Sequence, residues 1–301
     1  MRKSIKRVYL MKALLSAGVL LGRLIYNIRP PVIGRLIPDV KYGPHRQQSL
    51  DVIVPRGMSR YPILIYVHGG GWFVGDKAIY TRICRTFSNQ GYLVFNLNYR
   101  LGPRYAYPIQ IQDTARAILW VFKHAQKYGG NCSTIFLAGD SAGAQLTSWY
   151  AAALQKQQLF RAVRIEEAIP REALRGLLLF YGVFDCETFA KSTFPFAKGM
   201  TECFLGSDMK TFAKRAELVS PIRHVNSGMP PCFVCAGEKD RTYPQSVAFV
   251  DALGTHGIPH TKLFFSRSEY PDAHHGFLNF YYKQCSKIAM MRALEFLYNN
   301  R

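Results

Sequence analysis

Ile135-Phe136-Leu137-Ala138-Gly139-Asp140-Ser141-Ala142-Gly143 is the stretch on which the reading of this chain turns. Four apolar residues form a buried-strand run and a helix-forming stretch follows, so Ser141 falls where a strand turns sharply into a helix. Such a turn leaves no room for side chains beside the serine, which accounts for glycine at 139 and 143. It also aims the Ser141 hydroxyl out of the sheet edge and brings the Ala142 amide, at the helix start, to the same space. By composition alone, G-x-S-x-G arises by chance in roughly one chain of this length in ten, so a second signal is needed.

That signal is His68-Gly69-Gly70-Gly71-Trp72, directly after the apolar run Ile63-Leu64-Ile65-Tyr66-Val67. Three consecutive glycines cost backbone entropy and contribute no packing, so they mark a loop whose amides approach something closely. Both motifs, each after a strand and in this order, would coincide by chance in well below about one chain in a thousand. They are read as one site. A serine hydroxyl is a poor nucleophile until a histidine takes its proton and a carboxylate orients that histidine. The order Ser, acid, His selects Asp240, in the polar loop after the apolar stretch Pro231 to Ala236, and His275, in Asp272-Ala273-His274-His275-Gly276-Phe277. Both follow predicted strands at their carboxyl ends, where open α/β sheets bind ligands. His274 rivals His275, and Glu238 rivals Asp240 but sits closer to the strand.

With these residues the chain resembles the hormone-sensitive-lipase-like branch of the α/β-hydrolases, whose esterases carry an HGGG loop, a G-D-S-A-G elbow, an acid in a G-x-x-D-like loop and an H-G-F ending. The resemblance runs from about Leu50 to the C-terminus. It includes Tyr99-Arg100-Leu101-Gly102-Pro103, Tyr107-Pro108 and Asp113, with Gly102 where the family usually has alanine. It implies Ser141 as nucleophile, His275 as base, Asp240 as its orienter, and the amides of Gly70, Gly71 and Ala142 as the oxyanion hole. It also implies that His68 shapes the glycine loop without moving a proton. Substrate identity does not transfer, because members of the branch cleave many acyl compounds.

The length of 301 residues and the 49% hydrophobic content suit one large α/β domain, with no repeat or low-complexity linker to divide it. Seven apolar runs read as strands: Leu50 to Val54, Ile63 to Val67, Tyr92 to Leu97, Thr134 to Ala138, Leu174 to Tyr181, Pro231 to Ala236 and Thr261 to Phe265. Helical stretches at about Tyr80 to Gln90, Asp113 to Lys127, Ala142 to Leu159, Tyr243 to His256 and Phe277 to Tyr298 alternate with them. This alternation predicts a mainly parallel sheet covered on both faces. Residues 1–45 and about 186–220 fall outside it. The second segment, rich in phenylalanine, reads as helical and packed over the site, since a structureless insertion of that length is unusual in a compact domain. In the resembled family these two regions form a cap lining the acyl pocket; the alternative is that the aromatics bury themselves among neighbouring helices.

Seven cysteines, at 84, 132, 186, 203, 232, 235 and 285, lack the dense spacing of a disulfide framework and read as mostly reduced thiols. Cys232 and Cys235 sit in a predicted core strand, where positions i and i+3 face opposite ways, so burial suits them better than metal or redox chemistry. No metal or organic cofactor is implied.

Thirty-nine Lys and Arg against 19 Asp and Glu give a net charge of +20, which favours an anionic neighbour. Residues 1–60 hold 12 basic and 2 acidic side chains. No nucleic-acid-binding signature accompanies the charge, so membrane phospholipid ranks above nucleic acid. From Val8 to Ile28 the clearly polar positions are Lys12, Ser16, Arg23 and Asn27, all on one narrow stripe of a helix. Ala13 to Gly22 is too short an apolar run to span a bilayer. An uncleaved cap or interfacial helix fits this pattern best, with a retained signal anchor as the alternative.

The sequence reading is therefore a serine carboxylesterase acting on apolar short- to medium-chain esters, cytoplasmic, with its basic N-terminal helix serving either as cap over the site or as a peripheral contact with an anionic membrane surface. The alternatives are arylformamidase or other amide hydrolysis, and a catalytically silent binding protein on the same scaffold.

Overall fold

The computed structural model describes residues 2–57 and 60–301, with the side chains of residues 2–11 and 14 outside the description. The chain begins with helix α1 (Arg2–Ile25), then strands β1 (Arg35–Lys41), β2 (Ser49–Val54) and β3 (Tyr61–Val67). Helix α2 (Thr81–Asn89), β4 (Leu93–Leu97), α3 (Ile109–His124) and β5 (Gly130–Asp140) follow, then α4 (Ala142–Ala153) and α5 (Gln157–Ala162). After β6 (Leu174–Phe180) come three helices, α6 (Cys186–Ala190), α7 (Ala197–Leu205) and α8 (Met209–Val219). The chain closes with β7 (Cys232–Gly237), α9 (Tyr243–Thr255), β8 (His260–Phe265) and α10 (Gln284–Asn299).

The eight strands form one sheet in the order β1-β2-β4-β3-β5-β6-β7-β8. The first two pairings are antiparallel and the remaining five parallel. Its two faces feed separate apolar clusters: Ile63, Ile65 and Val67 enter one, and Leu64 and Tyr66 the other. Burial on both faces is why the strand sequences are continuously apolar. Cys232 and Cys235 divide between the two clusters in the same way, as their spacing predicts. The seven predicted strands are all present.

The eighth, β1, corrects the reading of residues 1–45 as lying outside the sheet. Its sequence, Arg35-Leu-Ile-Pro-Asp-Val-Lys41, contains a proline, its register shifts between Ile37 and Val40, and Asp39 has φ of 54°. A half-exposed edge strand with a bulge lacks the apolar signature of the buried strands. Two helices also differ from expectation. The stretch Ala142 to Leu159 breaks after Ala153 and resumes as α5, and the last helix starts at Gln284 because Gly276, with φ of 81°, opens a short 3-10 turn at Phe277–Asn279.

Helix α4 is buried along its whole length. Its alanines and Gly143 let its first turn press onto the end of β3. A Cβ on Gly143 would stand 2.0 Å from the Val67 carbonyl oxygen, and one on Gly139 would stand 2.5 Å from the Gly143 carbonyl carbon. These contacts bring the ends of β3 and β5 together, so the glycine loop and the serine turn share one edge of the sheet.

Candidate active site

Ser141 sits between β5 and α4 with φ of 50° and ψ of −117°, a conformation that side-chain-bearing residues rarely adopt. The turn is pinned by neighbours on both sides. The Ser141 amide donates to the Phe180 carbonyl at 2.9 Å, and the Ser141 carbonyl accepts from the Gln145 amide at 3.2 Å. The side chain is thereby held up at the carboxyl end of the sheet, where His275 Nε2 lies 3.0 Å from Ser141 Oγ.

His275 comes from the loop after β8, and its Nδ1 lies 2.8 Å from Asp240 Oδ2. Asp240 follows the end of β7. Its side chain is fully buried, and its other oxygen accepts from the Thr242 amide at 2.8 Å, so the carboxylate is fixed from two directions. Thr242 Oγ1 also lies 3.3 Å from His275 Nδ1. The imidazole is packed edge-on against Tyr181 and Phe194, with ring centroids 5.0 and 4.7 Å away.

The rivals point elsewhere. His274 Nδ1 lies 3.1 Å from the His275 carbonyl, and its ring rests against Phe280. Glu238 is exposed and accepts from the Arg267 amide at 2.9 Å.

The glycine loop faces the serine turn. Gly70 and Gly71 have φ of 110° and 58°, conformations open to glycine at little cost, and Trp72 follows at 64°. Phe73 and Val74 donate back to the Gly70 carbonyl, closing a tight turn. Ala142 is the first residue of α4, so its N–H is one that the helix leaves unpaired. His68 is buried beneath the loop: its Nδ1 lies 2.6 Å from the Gly69 carbonyl and its ring stacks on Tyr99 at 4.4 Å. Burial lowers its pKa, which keeps the ring neutral.

Two features escaped the sequence reading. Asp140, noted there only as part of the elbow, ties the two motifs together. Its Oδ1 accepts from the Gly69 amide at 2.8 Å and its Oδ2 from the Tyr80 hydroxyl at 2.9 Å. Burial pushes its pKa up to about 6, against the opposing pull of Tyr80, the Gly69 amide, His275 and Tyr66. Gln145 carries the second link. It accepts from Trp72 Nε1 at 2.8 Å and donates to the Val219 carbonyl at 2.7 Å, joining the glycine loop, α4 and α8. No local pattern signals either, since the partners are some 70 residues away along the chain.

Asp113 and Arg100 form a bidentate pair at 2.7 and 2.8 Å that secures the segment behind the glycine loop. Gly102, the departure from the family's alanine, faces α7: a Cβ there would stand 2.7 Å from the Cys203 carbonyl oxygen.

Helices α1 and α7 complete the surroundings. Leu15 and Val19 of α1, like Met200 of α7, pack against the cluster of Phe73, Val74 and Cys203. Met200 in turn lies so close to the glycine loop that a Cβ on Gly71 would meet its sulfur at 2.8 Å.

A largely parallel eight-stranded sheet, with a serine on a strand-to-helix elbow at its carboxyl edge, defines an α/β-hydrolase fold. The chain belongs to the BD-FAE family, whose model matches residues 50–253. It is 33% identical to Esterase LipQ of Mycobacterium tuberculosis over 79% of this chain and 56% of that protein. It is 30% identical to the probable carboxylic ester hydrolase LipM of the same organism, over 71% of this chain and 51% of that one. The chain thus spans about half the length of these curated relatives. Among solved structures, an inhibited esterase B from Lactobacillus rhamnosis superposes with a TM-score of 0.86 at 23% identity, covering 99% of this chain and 97% of the other. The esterase of Pyrobaculum calidifontis gives 0.78 at 22% identity, covering 97% and 93%. The resemblance to the hormone-sensitive-lipase-like hydrolases, read from the motifs, agrees with this family and these esterase relatives.

Proposed function

We propose that this chain is a serine carboxylesterase that cleaves apolar short- to medium-chain esters through an acyl-enzyme. The observation that carries the reading is the unbroken line from Asp240 through His275 to Ser141, at 2.8 and 3.0 Å, ending beside the glycine loop. In this mechanism His275 Nε2 takes the Ser141 proton as Oγ attacks the ester carbonyl. The Gly70, Gly71 and Ala142 amides stabilise the tetrahedral oxyanion, and Asp240 holds the imidazole tautomer and stabilises the imidazolium. His275 then gives the proton to the departing alkoxide. Water, activated by the same nitrogen, attacks the acyl carbon and releases the acid with Ser141 restored. The cycle uses side chains and backbone amides only.

The preference for shorter acyl groups is supported by the crowding of the site. Met200 presses on Gly71 and Phe194 on His275, while Phe189 lies edge-on to Trp72 at 6.1 Å. Under this reading the inner face of α1 and helices α6 to α8 serve as the cap. Seven unpaired thiols, six of them buried, suit a reducing cytoplasmic setting. Among the described residues no helix is long and apolar enough to cross a membrane. The basic N-terminus is the part of the chain suited to contact with an anionic membrane surface.

The test is labelling with a fluorophosphonate followed by peptide mass spectrometry, together with hydrolysis of esters graded by acyl length and of aryl amides. Adduct on Ser141, and turnover of short esters above long-chain emulsions and amides, is the expected result. An active protein labelled at another serine refutes the nucleophile, and faster cleavage of amides refutes the ester assignment.

A further inference from the structure

The polarity of α1 is inverted relative to an ordinary amphipathic surface helix. Lys12 donates to the Gly102 carbonyl, Arg23 pairs with Asp76 at 2.7 Å, and Asn27 donates to the Ala78 carbonyl at 2.7 Å while accepting from the Arg82 amide at 2.9 Å. Three of the four residues of the polar stripe are therefore engaged by the protein body, beside the inward-facing Leu15, Val19 and Tyr26. Ser16 alone of the four is exposed. The opposite arc of the helix turns an apolar face to the outside: Leu20, Leu21, Leu24 and Ile25 are 43 to 73% exposed, and the row continues past the helix through Ile28 and Val32. Six of the eleven exposed large hydrophobics among the described residues lie in this one stretch of thirteen.

Isolated apolar residues on a surface need no explanation, but a contiguous row marks a contact surface. Its charge setting says what the partner is. Residues 1–60 hold 12 basic and 2 acidic side chains; Lys12 and Arg23 are engaged by the protein body, and exposed Arg29 and Arg35 flank the end of the row. A second copy of the chain would bring two such positive segments together and be repelled. An anionic lipid surface offers negative headgroups for the arginines and lysines and hydrocarbon for the leucines.

We propose that the outer face of α1, continued through Val32, docks this protein on an anionic phospholipid bilayer, the helix lying in the interface plane. The inner face of the same helix packs against the cluster of Phe73, Val74 and Cys203, on which Met200 beside Gly71 also rests, so docking brings the glycine loop close to the lipid. Esters dissolved in the bilayer then reach the site directly. This last consequence rests on the esterase reading, whereas docking itself requires no catalysis.

The full chain is co-sedimented with vesicles of phosphatidylcholine alone and of phosphatidylcholine with phosphatidylglycerol, at low and high salt. Wild type pellets with the anionic vesicles at low salt and is released by high salt. The triple variant Leu20→Ser, Leu24→Ser, Ile28→Ser, changed only at exposed positions, loses at least about tenfold in vesicle affinity and keeps hydrolysis of a soluble acetate ester. As an independent probe, Ile28→Trp shows a blue-shifted emission on adding anionic vesicles. Wild type that stays in the supernatant at low salt, a triple variant that pellets undiminished, or an unshifted tryptophan overturns the proposal. So does a wild-type dimer that the triple variant dissociates while neither form binds vesicles, since the face would then be a self-interface. Ser141→Ala still pellets, and protein that pellets but cleaves no ester sinks the esterase reading alone.

Discussion

Replacing Asp140 separates the part of the site that holds the glycine loop from the Asp240–His275–Ser141 line proposed to move the proton. The carboxylate is 3% exposed and receives the Gly69 amide, the Tyr80 hydroxyl and, at 3.4 Å, the Tyr66 hydroxyl. Its ordinary pKa of 3.8 rises to about 6 in the fold. The native state therefore holds this proton more tightly than the unfolded chain does, and the associated stability is present below pH ~4 and lost as pH rises through ~6. The difference corresponds to about 3 kcal/mol. Asp140→Asn keeps an acceptor for the Gly69 amide and cannot ionise, so it abolishes this slope and at pH 8 is more stable than wild type by up to about 3 kcal/mol. It also removes a negative charge facing His275, at a cost of about tenfold in kcat/KM. Asp140→Ala instead strands three buried donors at about 1–3 kcal/mol each and frees the loop, lowering kcat by about a hundredfold. Urea melts from pH 4 to 8, with hydrolysis of a soluble ester, measure both effects. An unchanged pH slope in Asp140→Asn refutes the titration argument, and an Asp140→Ala enzyme with normal kcat refutes the role in holding the loop.

Four further outcomes are expected. His275→Ala abolishes turnover while His274→Ala retains it, because only the first imidazole lies 3.0 Å from Ser141 Oγ; equal losses in the two variants would undo the assignment. Asp240→Asn lowers kcat about 10⁴-fold with the circular dichroism spectrum unchanged, by admitting the wrong tautomer. Gly143→Ala, whose Cβ would stand 2.0 Å from the Val67 oxygen, costs more than about 4 kcal/mol in a urea melt or yields insoluble protein. Met200→Ala opens space beside Gly71 and shifts the best acyl chain to longer lengths in a graded ester series, with the Ser141 labelling rate on a small fluorophosphonate unchanged.

Local chemistry made much of this molecule readable from its residues. Buried strands must be apolar on both faces, so their runs stand out, and the serine turn and glycine loop demand glycine for steric reasons that act within a few positions. The family and the sheet follow from these signals, as do the separate positions of Ser141, Asp240 and His275. The edge strand β1 was not legible, because half its surface is solvated and its proline and bulge erase the pattern.

Other features depend on partners far apart in the chain and became visible only with the tertiary structure. Asp140 reads as an elbow residue until Gly69, 71 residues away, donates to it. That His275 and not His274 lies beside Ser141, and that Asp240 and not Glu238 lies beside His275, is a matter of which side chain the β7 and β8 loops turn inward. Gly102 gains its reason only when α7 crosses it. The sharpest case is α1: the helical wheel defines a polar stripe and an apolar face, but periodicity carries no information about which face meets the protein. Asp76, Ala78, Arg82 and Gly102 decide it by offering partners to Arg23, Asn27 and Lys12, and this pairing turns the leucines outward.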